Sequence, residues 1–290
     1  MAGRERVVDE VCGVAQAAAV AGDWWNLLVL REVARGRHRF DELATELSIS
    51  RKVLTERLGH LVAHGMLGRH PYSDRPVRHE YRLTDRGVAF LPVLVAMQDW
   101  ADRWLLGDGE LTASAAPAGP EAVRMHALPG ARIPPEALLT GTDGRPGDPV
   151  DGAARATVLF TYPATGRPTP LPAGWSDIPG TAGCTLENRL FRDRWPEFTA
   201  AGVAVRGVST QRPDEQAAFA AAEQVPFPLL SDADLRLAAA LRLPVVRIGQ
   251  QPRLKRAVLV TGPDRVIRHV IFPVLDIPAA VDEALAHARR

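Results

Sequence analysis

Cysteine is nearly absent from this chain: two residues, Cys12 and Cys184, stand among 290. Two thiols make no disulfide framework, and a lone thiol in a reducing compartment is buried, reactive or incidental. Charge of one sign is lacking too. Lys and Arg number 35 against 34 Asp and Glu, a formal net charge of +1, so any attraction to nucleic acid has to be local. No apolar run approaches membrane-spanning length, and the opening "MAGRERVVDEVCGVAQ" is charged and periodic, unlike a signal peptide. A cytoplasmic protein with no membrane partner is expected. No internal repeat and no Gly-rich nucleotide loop appears, and no cofactor is expected.

What is present is a globular composition, 46% hydrophobic and 24% charged, in a chain long enough for two cores. The composition changes sharply once. "GDGELTASAAPAGP", from Gly107 to Pro120, has Leu111 as its one large hydrophobic residue and reads as flexible. The expected division is 1–106, a linker at 107–127, and 128–290. Before the linker lie helical patterns: "VVDEVCGVAQAAAVAG", "DWWNLLVLREVARG", "FDELATEL", "SRKVLTERLGHLVAHG" and "GVAFLPVLVAMQDWADRWLL". After it, the β-rich runs "ATVLFTY", "VAVRGVST", "KRAVLVTG" and "RVIRHVIFPV" alternate with helical segments near 184–200, 213–223, 232–241 and 277–288. That alternation argues for an α/β sheet with helices on its faces.

In the first half, helix 40–47 is followed by the short turn "SIS", and Ser50 can cap a second helix. Leu54, Leu58, Leu61 and Val62 form that helix's buried stripe. Arg51, Lys52, Thr55 and Arg57 lie elsewhere around it near its N-terminal end, the end a recognition helix pushes into the major groove. "MLGRH" and "EYRLT", joined by "PYSDRPVRH", read as a hairpin, or wing. From 50 to 86 the basic residues are Arg51, Lys52, Arg57, Arg69, Arg75, Arg78, Arg82 and Arg86. Against them stand Glu56, Asp74, Glu80 and Asp85, so eight minus four leaves +4 in this short stretch. Phosphate contacts would draw on that charge.

This half closely resembles the HxlR-type winged helix-turn-helix regulators over residues 10–106. The likeness runs through "C-x-V-A-x-A", "GDWWNLLVLREVARGRHRFDEL", "ISRKVLTERLGHLVAHGML" and "EYRLTDRGVAFLPVL". It implies a homodimer, joined largely through the first and last helices of the domain, on a pseudo-palindromic double-stranded DNA operator. Ser50, Arg51, Lys52, Thr55, Arg57, Arg75 and Arg78 are the candidate DNA-binding residues. The competing reading is a winged helix kept for protein interaction.

In the second half, "GTAGC" supplies a tight turn and "CTLENRLFRDRWPEF" continues as a helix, with Leu186, Leu190, Phe191 and Trp195 tracing its apolar side. Cys184 therefore belongs to the first turn, where free N–H groups and a nearby cation would favour a thiolate. Thr181, three residues earlier, is placed to aim its hydroxyl into the same pocket. "TVLFTYP", "GTAGCTLENRLFRDRWPEF", "VAVRGVST", "PFPLLSDADLRLAAAL" and "KRAVLV" resemble the AhpC/TSA peroxiredoxins, nearest the PrxQ branch, over about residues 128–288.

That resemblance implies a thioredoxin-like fold and a catalytic set of Cys184, Thr181 and Arg256, with a peroxide substrate and a thiol reductant. The fold class expected is thus α+β and α/β in two domains, a winged helix-turn-helix followed by a peroxiredoxin-like fold. Two departures from the family pattern stand out. Asp177 occupies the motif's proline position, with Pro179 two residues later, and Arg189 stands where a resolving cysteine would be. Cys12 is then the one other thiol for Cys184 to pair with. It is a candidate redox partner, or a small hydrophobe in a helix of small residues.

His60 and His64 stand at helical spacing, but no third ligand is evident and no metal site is expected. Trp24, Trp25, Trp100 and Trp104 read as core or dimer packing, and "TDGRP" at 142–146 as a hairpin turn. Three functions compete: a DNA-binding regulator whose Cys184 reacts with peroxide, a thiol-dependent peroxidase with an accessory winged helix, and a regulator whose second domain is chemically idle.

Overall fold

A computed structural model describes residues 11–75, 77–166 and 174–290. The expected helix start before residue 11 lies outside the described residues. The chain divides into two compact units, 1–94 and 95–290. The sequence reading set the boundary at 106.

The first unit runs α1 (Gly13–Ala21), α2 (Trp24–Ala34), α3 (Phe40–Leu47), α4 (Arg51–Ala63), β1 (Leu67–Asp74), β2 (Val77–Leu83) and α5 (Asp85–Ala89). The boundary falls within α6 (Leu91–Trp104). Ser48 takes a left-handed turn (φ +50) after α3, and the Ser50 hydroxyl accepts from Val53 N at 3.3 Å, starting α4 as its spacing predicts. Leu54, Leu58 and Leu61 are fully buried with Leu30, Leu43 and Met66. Each such leucine contributes about 1.5–3 kcal/mol of burial. β1 and β2 pair antiparallel from Leu67↔Leu83 to Asp74↔Val77, and Tyr81 N donates to His38 O at 2.8 Å. The single long helix expected over 87–106 is broken at Phe90 into α5 and α6. Gly87 is required there, because a β-carbon on it would stand 2.2 Å from Met66 O.

The second unit continues with α7 (Pro120–His126), β3 (Leu139–Gly141), β4 (Pro146–Gly147), β5 (Ala156–Thr161), a short 3-10 turn (Trp175–Asp177), α8 (Cys184–Asp193) and α9 (Trp195–Ala200). Then come β6 (Val203–Ser209), α10 (Pro213–Glu223), β7 (Leu229–Ser231), α11 (Arg236–Leu241), β8 (Val245–Ile248), β9 (Gln251–Leu254), β10 (Ala257–Thr261), β11 (Ile267–Ile271) and α12 (Ile277–Ala288). Seven strands form one mixed sheet in the order β11-β10-β5-β6-β7-β3-β4, with β5, β6 and β7 parallel; β8 and β9 make a separate hairpin. β5 is buried along its whole length. Val158 and Phe160 face a core with Phe191, Phe198, Val281 and Leu285, while Thr157, Leu159 and Thr161, of opposite parity, are buried as well. The turn at 142–146 joins β3 to β4 as expected.

The expected linker is a correction. Residues 107–127 include α7 and are fixed to the second unit. Arg124 grips Asp102 with two bonds of 2.8 and 2.6 Å, Lys255 Nζ meets Glu121 at 2.9 Å, and Ala113 N donates to Pro179 O at 2.8 Å. Buried ion pairs and backbone bonds dock a stretch whose composition, poor in large hydrophobic residues, suggested freedom.

Candidate functional site

In the first unit, Arg51, Lys52 and Thr55 are exposed at the start of α4, and Arg75 and Arg78 are exposed at the hairpin tip. Their surroundings differ. Arg51 bonds Asp41 at 2.8 Å and lies over the Phe40 ring; the Thr55 hydroxyl turns back to Arg51 O at 2.8 Å. Arg57 reaches Asp23, the cap of α2, at 3.3 Å, and its side chain is 28% exposed. Arg57 is therefore held within the unit rather than presented outward. Cys12 is half-buried at the cap of α1. His60 Nε2 bonds Val20 O and His64 Nδ1 bonds His60 O, so each histidine serves a carbonyl.

In the second unit, the sheet brings distant residues to one place. β10 pairs antiparallel with β5 in the register Ala257↔Thr161, which puts Arg256 beside the segment leaving β5. Gly183 precedes α8 with φ +101; a β-carbon there would strike Ile277 Cδ1 at 2.7 Å, so only glycine admits this turn. Cys184 follows as the first residue of α8. Arg256 Nη2 donates to its sulfur at 3.3 Å and to Ala182 O at 3.1 Å, while Nε holds Glu187 Oε2 (2.9 Å) and Nη1 holds Gly180 O (3.1 Å). The Ala164 backbone N–H also points at the sulfur.

Two expectations fail here. Cys184 is 3% exposed, and burial pushes its thiol up to about 11, against the opposing pull of Arg256 and the Ala164 N–H. Dehydration outweighs the helix N-terminus and the cation in this arrangement, and the thiol donates to Thr181 O at 3.5 Å. The Thr181 hydroxyl does not face the sulfur. It has Trp175 O at 2.7 Å and Ile178 O at 2.8 Å, and so braces the turn before α8.

Sequence reasoning missed Glu187. One turn into an amphipathic helix, an acid reads as solvated, yet it is 1% exposed and burial pushes its carboxyl up to about 7 despite Arg256. Arg189, the expected site of a resolving cysteine, pairs with Glu223 at 2.7 Å. Elsewhere, His269, Glu283 and His287 bring three ligand atoms within 4.8 Å of one another, a grouping of strand and helix that local spacing does not display. A cavity of about 450 Å³, lined by Asp99, Glu110, Glu121, Val246 and Lys255 among others, does not include Cys184. Among the described residues no helix is long and apolar enough to cross a membrane.

Comparison with known proteins agrees with both halves. The HxlR-like helix-turn-helix family matches residues 20–108, and the AhpC/TSA family matches residues 178–270. An uncharacterised HTH-type transcriptional regulator of Mycobacterium bovis is 44% identical over 92 residues, 32% of this chain; the chain spans 58% of that relative's length. A putative peroxiredoxin of Mycobacterium tuberculosis is 34% identical over 132 residues, 46% of this chain and 77% of the relative. The crystal structure of peroxidoxin BcpB from Mycobacterium tuberculosis is similar at 30% identity over 52% of this chain and 90% of that one, with a TM-score of 0.42. With its winged hairpin and capped second helix at one end and its Arg256-bonded Cys184 at the other, the chain belongs to the HxlR-like helix-turn-helix family through its N-terminal part and to the AhpC/TSA family through its C-terminal part.

Proposed function

We propose that this protein is a redox-responsive transcriptional regulator: a homodimer that binds an operator through its winged helix and reacts with peroxide at Cys184. The observation that carries the reading is the 3.3 Å contact between the Arg256 guanidinium and the Cys184 sulfur, at the start of a helix, in a chain that also has a helix-turn-helix. Such a regulator works where the DNA is, in the cytoplasm.

The sulfur attacks the terminal oxygen of the peroxide. An S–O bond forms as the O–O bond breaks, the electron pair leaves on the departing oxygen, and that oxygen takes a proton to become water or an alcohol. The sulfur ends as sulfenic acid. Ionisation costs free energy while the thiol is dry, so the entering peroxide must add polar partners to those in place, Arg256 and the Ala164 N–H. The guanidinium then stabilises the charge developing on the oxygens. Thr181 supports the site by bracing its turn. An external thiol, or Cys12, condenses with the sulfenic acid to a disulfide and releases water, and a second external thiol then cleaves that disulfide to restore the Cys184 thiol.

The same burial supplies the switch. At 3% exposure, between Ala164 and Arg256, the sulfur has little room for an added oxygen, so oxidation displaces the first turn of α8. A regulatory thiol change works by biasing such an element. The thiol-dependent peroxidase remains the second reading, favoured by the same contact if the oxidised protein still grips DNA unchanged.

The test uses a duplex selected from a random library by the reduced protein. Wild type and Cys184→Ser are titrated with peroxide, with binding and intact mass followed together. Wild type should lose or change affinity as one oxygen is added, and the variant should not respond. A peroxide response that survives in Cys184→Ser overturns the reading; peroxide turnover with a supplied thiol and constant DNA affinity favours the peroxidase.

A further inference from the structure

Arg253 is a second guanidinium of the unit that holds Cys184, and among the described residues it is not saturated. Its Nε and Nη1 atoms are buried and find no acceptor among the described residues. Arg256, three residues on, offers a contrast, since its nitrogens meet a carboxylate, two carbonyls and the sulfur. Buried N–H groups without acceptors are rare and costly, more so on a charged group. They are groups with which an incoming acceptor could bond.

Several contacts place Arg253 near the sulfur. It lies on β9 opposite Val246 of β8. Val246 and Ile248 pack with Ala164 and Trp175, and Ala164 is the residue whose N–H points at Cys184. On the other flank, the Thr210 hydroxyl donates to Pro252 O at 2.7 Å, and Gln211 bonds Thr165 through both its amide atoms. The charges of Glu215 and Cys184 both act on Arg253, while burial pulls its pKa below the ordinary arginine value. Glu187 already balances Arg256 at 2.9 Å. The site thus has one guanidinium more than the sulfur chemistry uses.

We propose that Arg253 is the carboxylate-binding residue of the Cys184 site, holding the acidic end of a ligand whose reactive end meets the sulfur. A planar guanidinium matches a carboxylate with paired N–H···O bonds, which an ammonium cannot do. The carboxylate belongs to an organic hydroperoxide or to the reducing thiol. The inference rests on the reading of Cys184 as the peroxide-reactive thiol, and its first test does not depend on peroxide.

Full-length protein is alkylated with iodoacetate and, separately, with iodoacetamide, reagents of similar size that differ in charge. Rates at Cys184 and Cys12 are read by peptide mass spectrometry. In Arg253→Gln the acetate-to-amide rate ratio at Cys184 should fall about tenfold, the scale of one charge-assisted hydrogen bond, with the ratio at Cys12 unchanged. Arg253→Lys, which keeps the charge, should fall between the two and shows that the site survives substitution. An unchanged ratio at Cys184 in Arg253→Gln overturns the proposal, as does a Cys184 inert to both reagents.

Two further arms identify the source of the carboxylate. A fatty-acid hydroperoxide is compared with its methyl ester as oxidant, and 3-mercaptopropionate with 2-mercaptoethanol as reductant of the sulfenic acid. Preference for the acid in one arm, lost in Arg253→Gln, names the source; no preference in either arm overturns the assignment to a natural ligand. If Cys184 ignores all peroxides while the alkylation ratio still collapses, the function proposed above fails and the carboxylate site stands.

Discussion

Arg256 and Glu187 form a buried ion pair, Nε to Oε2 at 2.9 Å, with side chains 5% and 1% exposed. The pair divides the guanidinium's attention. Arg256 lowers the Cys184 pKa, whereas the Glu187 charge raises it. Glu187→Gln keeps a hydrogen-bond acceptor for Nε and removes the negative charge. The pH profile of Cys184 alkylation should therefore move to lower pH, with the rate at pH 7 rising several-fold. Glu187→Ala removes the acceptor too and leaves Arg256 unanchored, so it should slow sulfenic acid formation instead. Equal pH profiles for wild type and Glu187→Gln would show that the pair only packs.

Burial sets the next expectation. With the thiol pushed up to about 11, the protonated form dominates at neutral pH. Thiolate is the reactive species, so iodoacetamide should modify Cys184 about tenfold faster per pH unit from 7 to 10, without levelling off. A plateau below pH 8 in the same measurement would mean that Cys184 spends its time in solution more hydrated than in this arrangement. Arg256→Ala removes the largest lowering influence and should depress the whole curve.

How much of this was readable beforehand depends on distance along the chain. α3 and α4, with the Ser50 cap between them, follow from local periodicity and turn chemistry, and β5, β6 and β10 from apolar runs long enough to register. β3, β4, β7, β8 and β9 span two to four residues each, too short for any period to show. The meeting of Cys184 with Arg256 is fixed by the β5–β10 register, so family resemblance indicated it and spacing did not. The burial of Glu187 and the docking of 107–127 depend on partners far away in sequence, while the Thr181 hydroxyl turns to the nearby carbonyls of Trp175 and Ile178 in an irregular turn. No local pattern encodes those.

The cations of the winged helix should separate by role. Lys52 and Arg78 are exposed on α4 and β2, and each neutralised phosphate releases counterions. Lys52→Ala and Arg78→Ala should each weaken binding to the selected duplex and reduce the slope of log affinity against log salt by about one. Arg57→Ala should leave that slope unchanged, because Arg57 is spent on Asp23 at 3.3 Å; it should lower the unfolding midpoint. Fluorescence anisotropy across a salt series reads the first effect and thermal unfolding the second. A slope change in Arg57→Ala would return that residue to the DNA face.

The proposed homodimer has a candidate face on α6. Val93, Met97, Trp100 and Trp104 recur at helical spacing along α6 and are 45%, 48%, 55% and 56% exposed. Isolated apolar residues at a surface need no explanation, but four on one helical stripe, two of them tryptophans, mark a face that water does not solvate well. A partner copy covering that stripe would shelter the rings from solvent, and aromatic residues dominate the energetics of such contacts. Trp100→Glu puts a charge in the middle of the stripe and should turn a dimer into a monomer by sedimentation velocity. α6 should stay folded, since Leu91 and Val95, which are buried, lie off that face. Because a pseudo-palindromic operator needs two recognition helices, the monomer should lose affinity for the duplex far beyond what one surface charge explains, and doubling the protein concentration should not restore it. Wild-type protein sedimenting as a monomer at every concentration tested would remove the homodimer from the proposed function.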